Sequence, residues 1–385
     1  MKIGYITNSS PLSGVGYRAK HILESISSPD SKNEVIEFHL DGTKGLLSEQ
    51  GSPISQIKIL PGVLGNKSFN WIRLGEKLKR YIKQEKKNKY DFFHATNQTL
   101  SWLARDFQPM VVTVHDLIEL TDPQDKKAAL LNKYLISGLH KAEHVIAISN
   151  YTAKQITKHL NIPASKITVI HNGVGPEFHQ INNFADSIEN IELKREFKIN
   201  PNTKIVLFVG SDHPRKNIAG ALEVFKKIKE QEEDIILIKV GEPGILKERG
   251  KLLEKADKLK LRESIRMVGS ITDEKLNALY NISDILIYPS KNEGFGLPLI
   301  QAMACGLPVV AAKTTAIPEV VGDSGVLHNV DDIEGMAKSC VEILQDENKQ
   351  QELTAKGLER AKSFSWEQAA KKVNKIYENV GNSIK

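Results

Sequence analysis

Short apolar runs alternate with stretches of helical periodicity along the whole chain, and that alternation restricts the fold more than any other feature. Runs at 2–6, 34–38, 56–60, 91–94, 110–115, 144–148 and 166–170 have the length and composition of strands. Between them, 16–27, 71–86, 126–141 and 150–160 carry apolar residues at helical spacing. Strands separated by helices pair in parallel, which predicts a doubly wound sheet with ligands outside the carboxyl ends of its strands. A polar, weakly patterned stretch at 175–203 interrupts the pattern, and the alternation then restarts. Strands are expected at 205–209, 235–240, 265–268, 285–288, 309–312 and 325–327. Helices are expected near 217–231, 245–259, 273–281, 297–305, 332–345 and 349–362, with 366–380 closing the chain. The expectation is two similar α/β halves facing across a cleft. A chain of 385 residues also exceeds what one core usually supports. The first domain is placed at 1–185, joined by the last helix at 366–385, and the second at 186–365.

The start, Met1 to Ile6, reads as a strand rather than a signal peptide, because no long apolar region follows Lys2. No run approaches the length of a membrane span. Cys305 and Cys340 form neither a metal-ligand spacing nor a disulfide framework, so the expected compartment is the reducing cytoplasm. The net charge of +6 is concentrated locally. Lys77, Lys79, Arg80, Lys83, Lys86, Lys87 and Lys89 face only Glu85, with Leu78, Tyr81 and Ile82 interleaved. That pattern predicts an amphipathic basic helix over 77–89. Its plain reading is a solvated face, and its functional reading is peripheral contact with anionic lipid at the inner face of a membrane. Nucleic acid is disfavoured, since no aromatic platform accompanies the charge.

Asn292 to Gly306 is the most informative stretch. It follows the apolar run 284–288 and carries two glycines, a proline suited to the first turn of a helix, and a terminal glycine. A strand, a glycine-bearing loop and a helix leave backbone amides pointing beyond the strand end, where phosphates bind well. Upstream, Gly210-Ser211-Asp212-His213-Pro214-Arg215-Lys216-Asn217 places two cations at an expected helix start. Cations there oppose the helix dipole, and a bound polyanion makes sense of them. Glu293, beside that anion site, then needs another partner, and sugar hydroxyls are the natural one. His115 ends an apolar strand next to Asp116, whose carboxylate could fix its tautomer. Ser149 and Asn150 read as a helix cap, and Glu319 as a charge on a helix dipole. No Asp-x-Asp occurs, and His140 and His144 straddle an element boundary, so neither a metal nor any other cofactor is expected.

Gly14-Val15-Gly16-Tyr17-Arg18-Ala19 fits the dinucleotide fingerprint and raises a nicotinamide oxidoreductase as an alternative. The second glycine lies well beyond the strand end, however, and Asp41 is an uncertain partner acid. That alternative gives the paired cations no role.

Taken together, Gly210 to Asn217, Glu293 to Gly306 and Ile317 to Val321 resemble the family 4 retaining glycosyltransferases of the GT-B fold, two Rossmann-like domains. Ser13 to Gly16, His115-Asp116 and Val169 to Val174 look like that family's N-terminal landmarks. The resemblance implies transfer of a hexose, mannose or glucose, from a GDP- or UDP-sugar to a hydroxyl of a glycan or lipid-linked acceptor. It implies polysaccharide or glycolipid assembly, and no required metal. By the same resemblance, Arg215 and Lys216 hold the diphosphate with help from amides near Phe295, Gly296 and Leu297. Glu293 binds sugar hydroxyls, His115 contacts the sugar from the opposite domain, and Gly14, Gly16 and Gly210 allow loops to approach the donor. The leaving phosphate oxygen takes the acceptor's proton, so no separate general base is needed. One position departs from the family: eight residues after Glu293, where a glutamate receives the ribose hydroxyls, this chain has Gln301. Losing that charge predicts nucleotide binding weaker by about 1–2 kcal/mol. A non-catalytic nucleotide-sugar-binding partner subunit is the alternative this departure raises, and a sugar-nucleotide epimerase is a further one.

Overall fold

The computed structural model describes the chain except residues 11–12, 29–30, 32, 42–55, 62–66, 85–88, 123–125, 185–186, 244–245 and 383–385. Two compact units result: Met1–Gly173 with Ser365–Lys385, and Val174–Phe364.

The first unit holds β1 (Lys2–Thr7), β2 (Glu34–Asp41), β3 (Gln56–Pro61), β4 (Phe92–Ala95), β5 (Met110–Val114), β6 (His144–Ala147) and β7 (Ile167–Val169). They form one parallel sheet in the order β3-β2-β1-β4-β5-β6-β7. The second unit holds β8 (Lys204–Val209), β9 (Ile235–Val240), β10 (Ile265–Val268), β11 (Ile285–Tyr288), β12 (Val309–Ala312) and β13 (Val326–His328). Their order is β10-β9-β8-β11-β12-β13, again parallel throughout. Both sheets therefore step outward from the first strand and then reverse, the doubly wound order. The reversal lies between β1 and β4 in one unit and between β8 and β11 in the other. Each unit has its own apolar core: Phe38, Trp102 and Leu139 belong to the first, Phe208, Phe225 and Cys340 to the second. Strands β5, β9 and β11 are buried along their whole length, as expected where helices cover both faces of a sheet.

The division falls at Gly173, earlier than the boundary expected after 185. Residues after Gly173 are tied into the second unit. The Val174 amide donates to the Phe364 carbonyl, and Asn277 and Asn281 receive the amides of His179 and Ile181. Phe178 and Phe184 are buried there. The closing helix, Trp366–Asn382, packs on the first unit instead. Trp366 stacks on His21 at 5.2 Å, and the Tyr377 hydroxyl meets His94 Nδ1 at 2.5 Å.

Three local departures from the sequence reading have physical causes. The polar stretch 175–203 contains the helix Ile188–Glu196, which shows no apolar stripe because Ile188 and Ile191 face solvent while Leu193 is buried. The helix expected over 126–141 runs Lys126–Ile136 and tightens to a 3-10 turn over Ser137–Lys141. A Cβ on Gly138 would lie 1.8 Å from the Ser101 carbonyl oxygen, so this turn passes directly against the segment Gln98–Arg105. The basic helix runs Lys67–Gln84, and Lys86 and Lys87 lie outside the described residues. Its apolar side is consumed by the core through Leu74 and Leu78, and Lys79 binds Glu76 at 2.7 Å and Asp106 at 2.5 Å. Among the described residues, no helix is long and apolar enough to cross a membrane.

Candidate active site

The chain's clearest constellation of charge lies at the sheet reversal of the second unit. Loop 210–217 leaves β8, and loop 289–296 leaves β11, the strand hydrogen-bonded beside it. Adjacent strand ends at a reversal diverge and open a crevice for a ligand. The Gly210 amide is spent on the Val240 carbonyl at 2.9 Å, which anchors the first loop to the end of β9. Pro214–Lys216 then forms one 3-10 turn, capped by His213 Nδ1, which accepts the Arg215 amide at 3.2 Å. Asn217 adopts a left-handed conformation, φ 54°, and only after it does the helix Ile218–Lys229 begin. The two cations thus precede the helix instead of opening it, so they do not sit against its dipole as the sequence suggested.

Their partner is Glu293. Arg215 Nη1 donates to Glu293 Oε2 at 3.0 Å, and Lys216 Nζ donates to Oε1 at 2.6 Å. The Tyr288 and Ser290 hydroxyls also donate to Oε1, at 2.8 and 2.6 Å. Oε1 is saturated by three donors, whereas Oε2 receives Arg215 and keeps lone-pair capacity. Burial raises the Glu293 carboxyl pKa, but Lys216 and Arg215 outweigh it, and the group titrates at about 2. From the sequence alone, Glu293 has a task separate from the cations. The structure makes it their counter-charge, leaving one positive charge in excess on the three side chains.

The frame around this trio is rigid. The Arg215 carbonyl accepts the Lys291 amide at 2.7 Å, joining the two loops through the backbone. The Glu293 amide donates to Thr315 Oγ1 at 3.0 Å, and Thr314 Oγ1 donates to the Ser290 carbonyl at 2.8 Å. Thr315 has φ 49°, an uncommon conformation for a β-branched residue, so the segment after β12 bears backbone strain where it holds Glu293. Beyond Glu293, Gly296 turns at φ 104° and starts the helix Leu297–Ala304, with Pro298 in its first turn. The Gly296 carbonyl is the first acceptor of that helix, so the amides of Gly296 and Leu297 have no partner within it and form its positive end. Phe295 is buried edge-on against Phe364, 5.6 Å between rings, and fixes the loop below the helix. Among the described residues, no three His, Cys, Asp or Glu side chains cluster as a metal site would require.

Residues 27–178 match Glycosyltransferase Family 4, and residues 189–360 match Glycosyl transferases group 1. The chain is a family 4 glycosyltransferase. It is 27% identical to O-antigen chain mannosyltransferase B of Escherichia coli, with 95% of this chain and 97% of that protein aligned. The serotype-specific mannosyltransferase WbdA of the same organism is 28% identical over 72% of this chain, which spans 34% of that longer protein. Two solved structures share the GT-B fold. Sucrose-phosphate synthase from Thermosynechococcus elongatus superposes with a TM-score of 0.80 over 99% of both chains at 20% identity. HepE of Anabaena, solved with UDP and glucose, gives 0.79 over 98% of this chain and 100% of its own, at 19% identity.

The glycosyltransferase's other expected site residues lie in both units. Gln301 is buried on the helix after Gly296, and its Oε1 accepts the Tyr280 hydroxyl at 3.2 Å. His115, in the first unit, follows β5. Its Nε2 faces the Thr96 carbonyl at 2.9 Å, and its amide donates to Gln98 Oε1 at 3.0 Å. A ring nitrogen facing a carbonyl must donate, so Nε2 carries the proton and Nδ1 is left as an acceptor. The tautomer is therefore fixed by Thr96, while Asp116 Oδ1 receives the Ile118 amide at 3.1 Å. Burial, reinforced by the Arg18 charge, lowers the His115 pKa to about 3, so the imidazole is neutral.

Gly14 and Gly16 lie inside the first turn of the helix Gly14–Ile26, two residues earlier than the expected start at 16. Ser13 caps that helix and accepts the Gly16 amide at 3.1 Å. A dinucleotide fingerprint needs its first glycine in a tight turn ahead of the helix, so the oxidoreductase reading loses its geometric basis. The Asp41 side chain lies outside the described residues. Ser149 caps the helix Asn150–Leu160, as its position suggested.

Sequence reasoning missed Tyr288, Ser290 and Thr315. The available signal was positional: all three stand at or just beyond the carboxyl ends of adjacent strands, β11 and β12, where a doubly wound sheet collects its ligands.

Proposed function

We propose that the protein transfers a hexose, mannose above all, from a GDP- or UDP-sugar to a hydroxyl of a glycan or lipid-linked acceptor. Retention of anomeric configuration and independence from metal are parts of the same reading. The observation that carries it is the Arg215–Lys216–Glu293 trio at the sheet reversal. Cleavage of a donor develops negative charge on the departing diphosphate. Two fixed cations and the amides of Gly296 and Leu297 supply donors for that charge without a metal ion. Glu293 keeps both cations in place before the donor arrives, and its Oε2 has capacity for a sugar hydroxyl. His115, in the first unit, keeps a neutral Nδ1 able to accept a hydrogen bond from a hydroxyl. With the leaving oxygen taking the acceptor's proton, no further base is required. The named mannosyltransferases aligned along the chain support mannose over glucose.

The test is a panel of GDP-, UDP- and ADP-hexoses, read by thermal shift and by nucleotide release with lipid-linked and glycan acceptors. GDP-mannose should stabilise the protein and be consumed in the presence of a glycan acceptor. A flat thermal response and no release with every donor would defeat the proposal.

A further inference from the structure

Beneath the two cations lies a charge cluster that the reading above does not use. Asp212 and Lys239 both have side chains with no exposure to solvent, and Arg249 is 20% exposed. Asp212 Oδ2 accepts Arg249 Nε at 2.5 Å, and Oδ1 lies 2.5 Å from Lys239 Nζ as an ion pair. Lys239 Nζ directs a hydrogen bond to the Gly241 carbonyl at 2.7 Å. An ion trapped in a low-dielectric interior costs several kcal/mol unless it is paired, and a sheet strand has no need of a lysine at its buried end. The cluster joins three elements: the loop that carries Arg215 and Lys216, the end of β9, and the helix Leu246–Lys258. The backbone repeats the same joint. The Gly210 amide donates to Val240, the Asp212 amide to Glu242 at 3.3 Å, and a Cβ on Gly241 would lie 2.6 Å from the Gly210 carbonyl oxygen.

We propose that Asp212, enclosed between Lys239 and Arg249, is the positioning residue of the phosphate-binding turn, fixing the backbone from which Arg215 and Lys216 reach the departing diphosphate. The proposal rests on the donor reading given above. Asp212 touches neither donor nor reacting atoms; it acts through the turn two residues later. A misplacement of about 1 Å in such a group costs on the order of a hundredfold in rate. Lys239 cancels the Asp212 charge from one side and Arg249 from the other. The Glu242 carboxylate interacts with both cations as well, so the four groups balance, and the cluster acts on the turn by holding its backbone and not by adding charge.

A double-mutant cycle between Asp212→Asn and Lys216→Ala tests this, with kcat/KM for GDP-mannose and GDP affinity as readouts. Asp212→Asn alone is expected to lower kcat/KM by about thirtyfold, and by less than about threefold once Lys216 is Ala, because neighbours acting as one unit are not additive. Asp212→Glu should recover part of the loss. Arg249→Gln, at the half-open end of the cluster, gives the same cycle without a buried unpaired lysine if Asp212→Asn fails to fold. Multiplicative losses in both cycles, with Lys216→Ala itself impaired, would overturn the positioning role alone. An unimpaired Lys216→Ala would overturn the donor reading on which it rests.

Discussion

Replacing Glu293 by Gln removes the counter-charge from two cations at once, and the consequence can be worked from the structure. The carboxyl titrates at about 2 in the folded protein against an ordinary 4.5, because Lys216 and Arg215 outweigh the burial that would raise it. The difference, 4.5 − 2, is about 2.5 units, and at 1.36 kcal/mol per unit the ionised form gains about 3 kcal/mol from folding. Glu293 is 7% exposed, Lys216 13% and Arg215 28%, so solvent screening removes only a small part. The folded value is depressed. The contribution is therefore complete above pH 4.5 and is lost as pH falls toward 2. Between pH 7 and pH 3.5 the stability gap between wild type and Glu293→Gln should narrow by about 1.4 kcal/mol. Urea denaturation followed by far-ultraviolet circular dichroism measures it. Trp71, Trp102 and Trp366 all belong to the first unit, so tryptophan fluorescence serves as the control that should not respond. A gap that stayed constant with pH, or widened in acid, would refute the charge balance argued here.

Three further outcomes are expected. Gln301→Glu restores a charged acceptor beside the Tyr280 hydroxyl and should tighten nucleotide binding by about 1–2 kcal/mol, roughly five- to thirtyfold in Kd by calorimetry. Unchanged or weaker binding would show that position 301 does not meet the ribose. Gly241→Ala forces a Cβ to 2.6 Å from the Gly210 carbonyl at φ 124°, and should cost about 1–3 kcal/mol with a matching fall in donor affinity. A variant as stable as wild type would mean that the joint between the two loops is slack. Finally, EDTA should leave the initial rate of nucleotide release unaltered, and a large drop restored by Mg²⁺ or Mn²⁺ would end the metal-free reading.

Much of this architecture was legible because parallel strands buried on both faces are written as apolar runs, and β9, β10, β11 and β12 occur where those runs stand. The helix Ile188–Glu196 was not legible, since Ile188 and Ile191 point to solvent and break the periodicity. Arg215, Lys216 and Glu293 were legible as chemistry, because cations beside a helix start and a carboxylate beside an amide-rich loop are each anomalous alone. Their pairing was not, for it depends on β8 and β11 being neighbours although 75 residues separate Val209 from Ile285. The same holds for Asp212 and Lys239: a lysine in a strand reads as a solvent-facing position until the register of β8 against β9 buries it. Gly14 and Gly16 show the reverse failure. A spacing that fits a fingerprint was satisfied by a capped first turn, because a motif fixes residue types and not where the helix begins.

The central claim is that Lys216, paired with Glu293 and set beside Arg215, stabilises charge on a departing nucleoside diphosphate. Its most direct measurement is the turnover of GDP-mannose by Lys216→Ala against wild type. An interaction made mainly in the transition state predicts a fall in kcat on the order of a hundredfold or more, with the acceptor KM unchanged. Turnover within about twofold of wild type, or a loss confined to the acceptor KM, would contradict it.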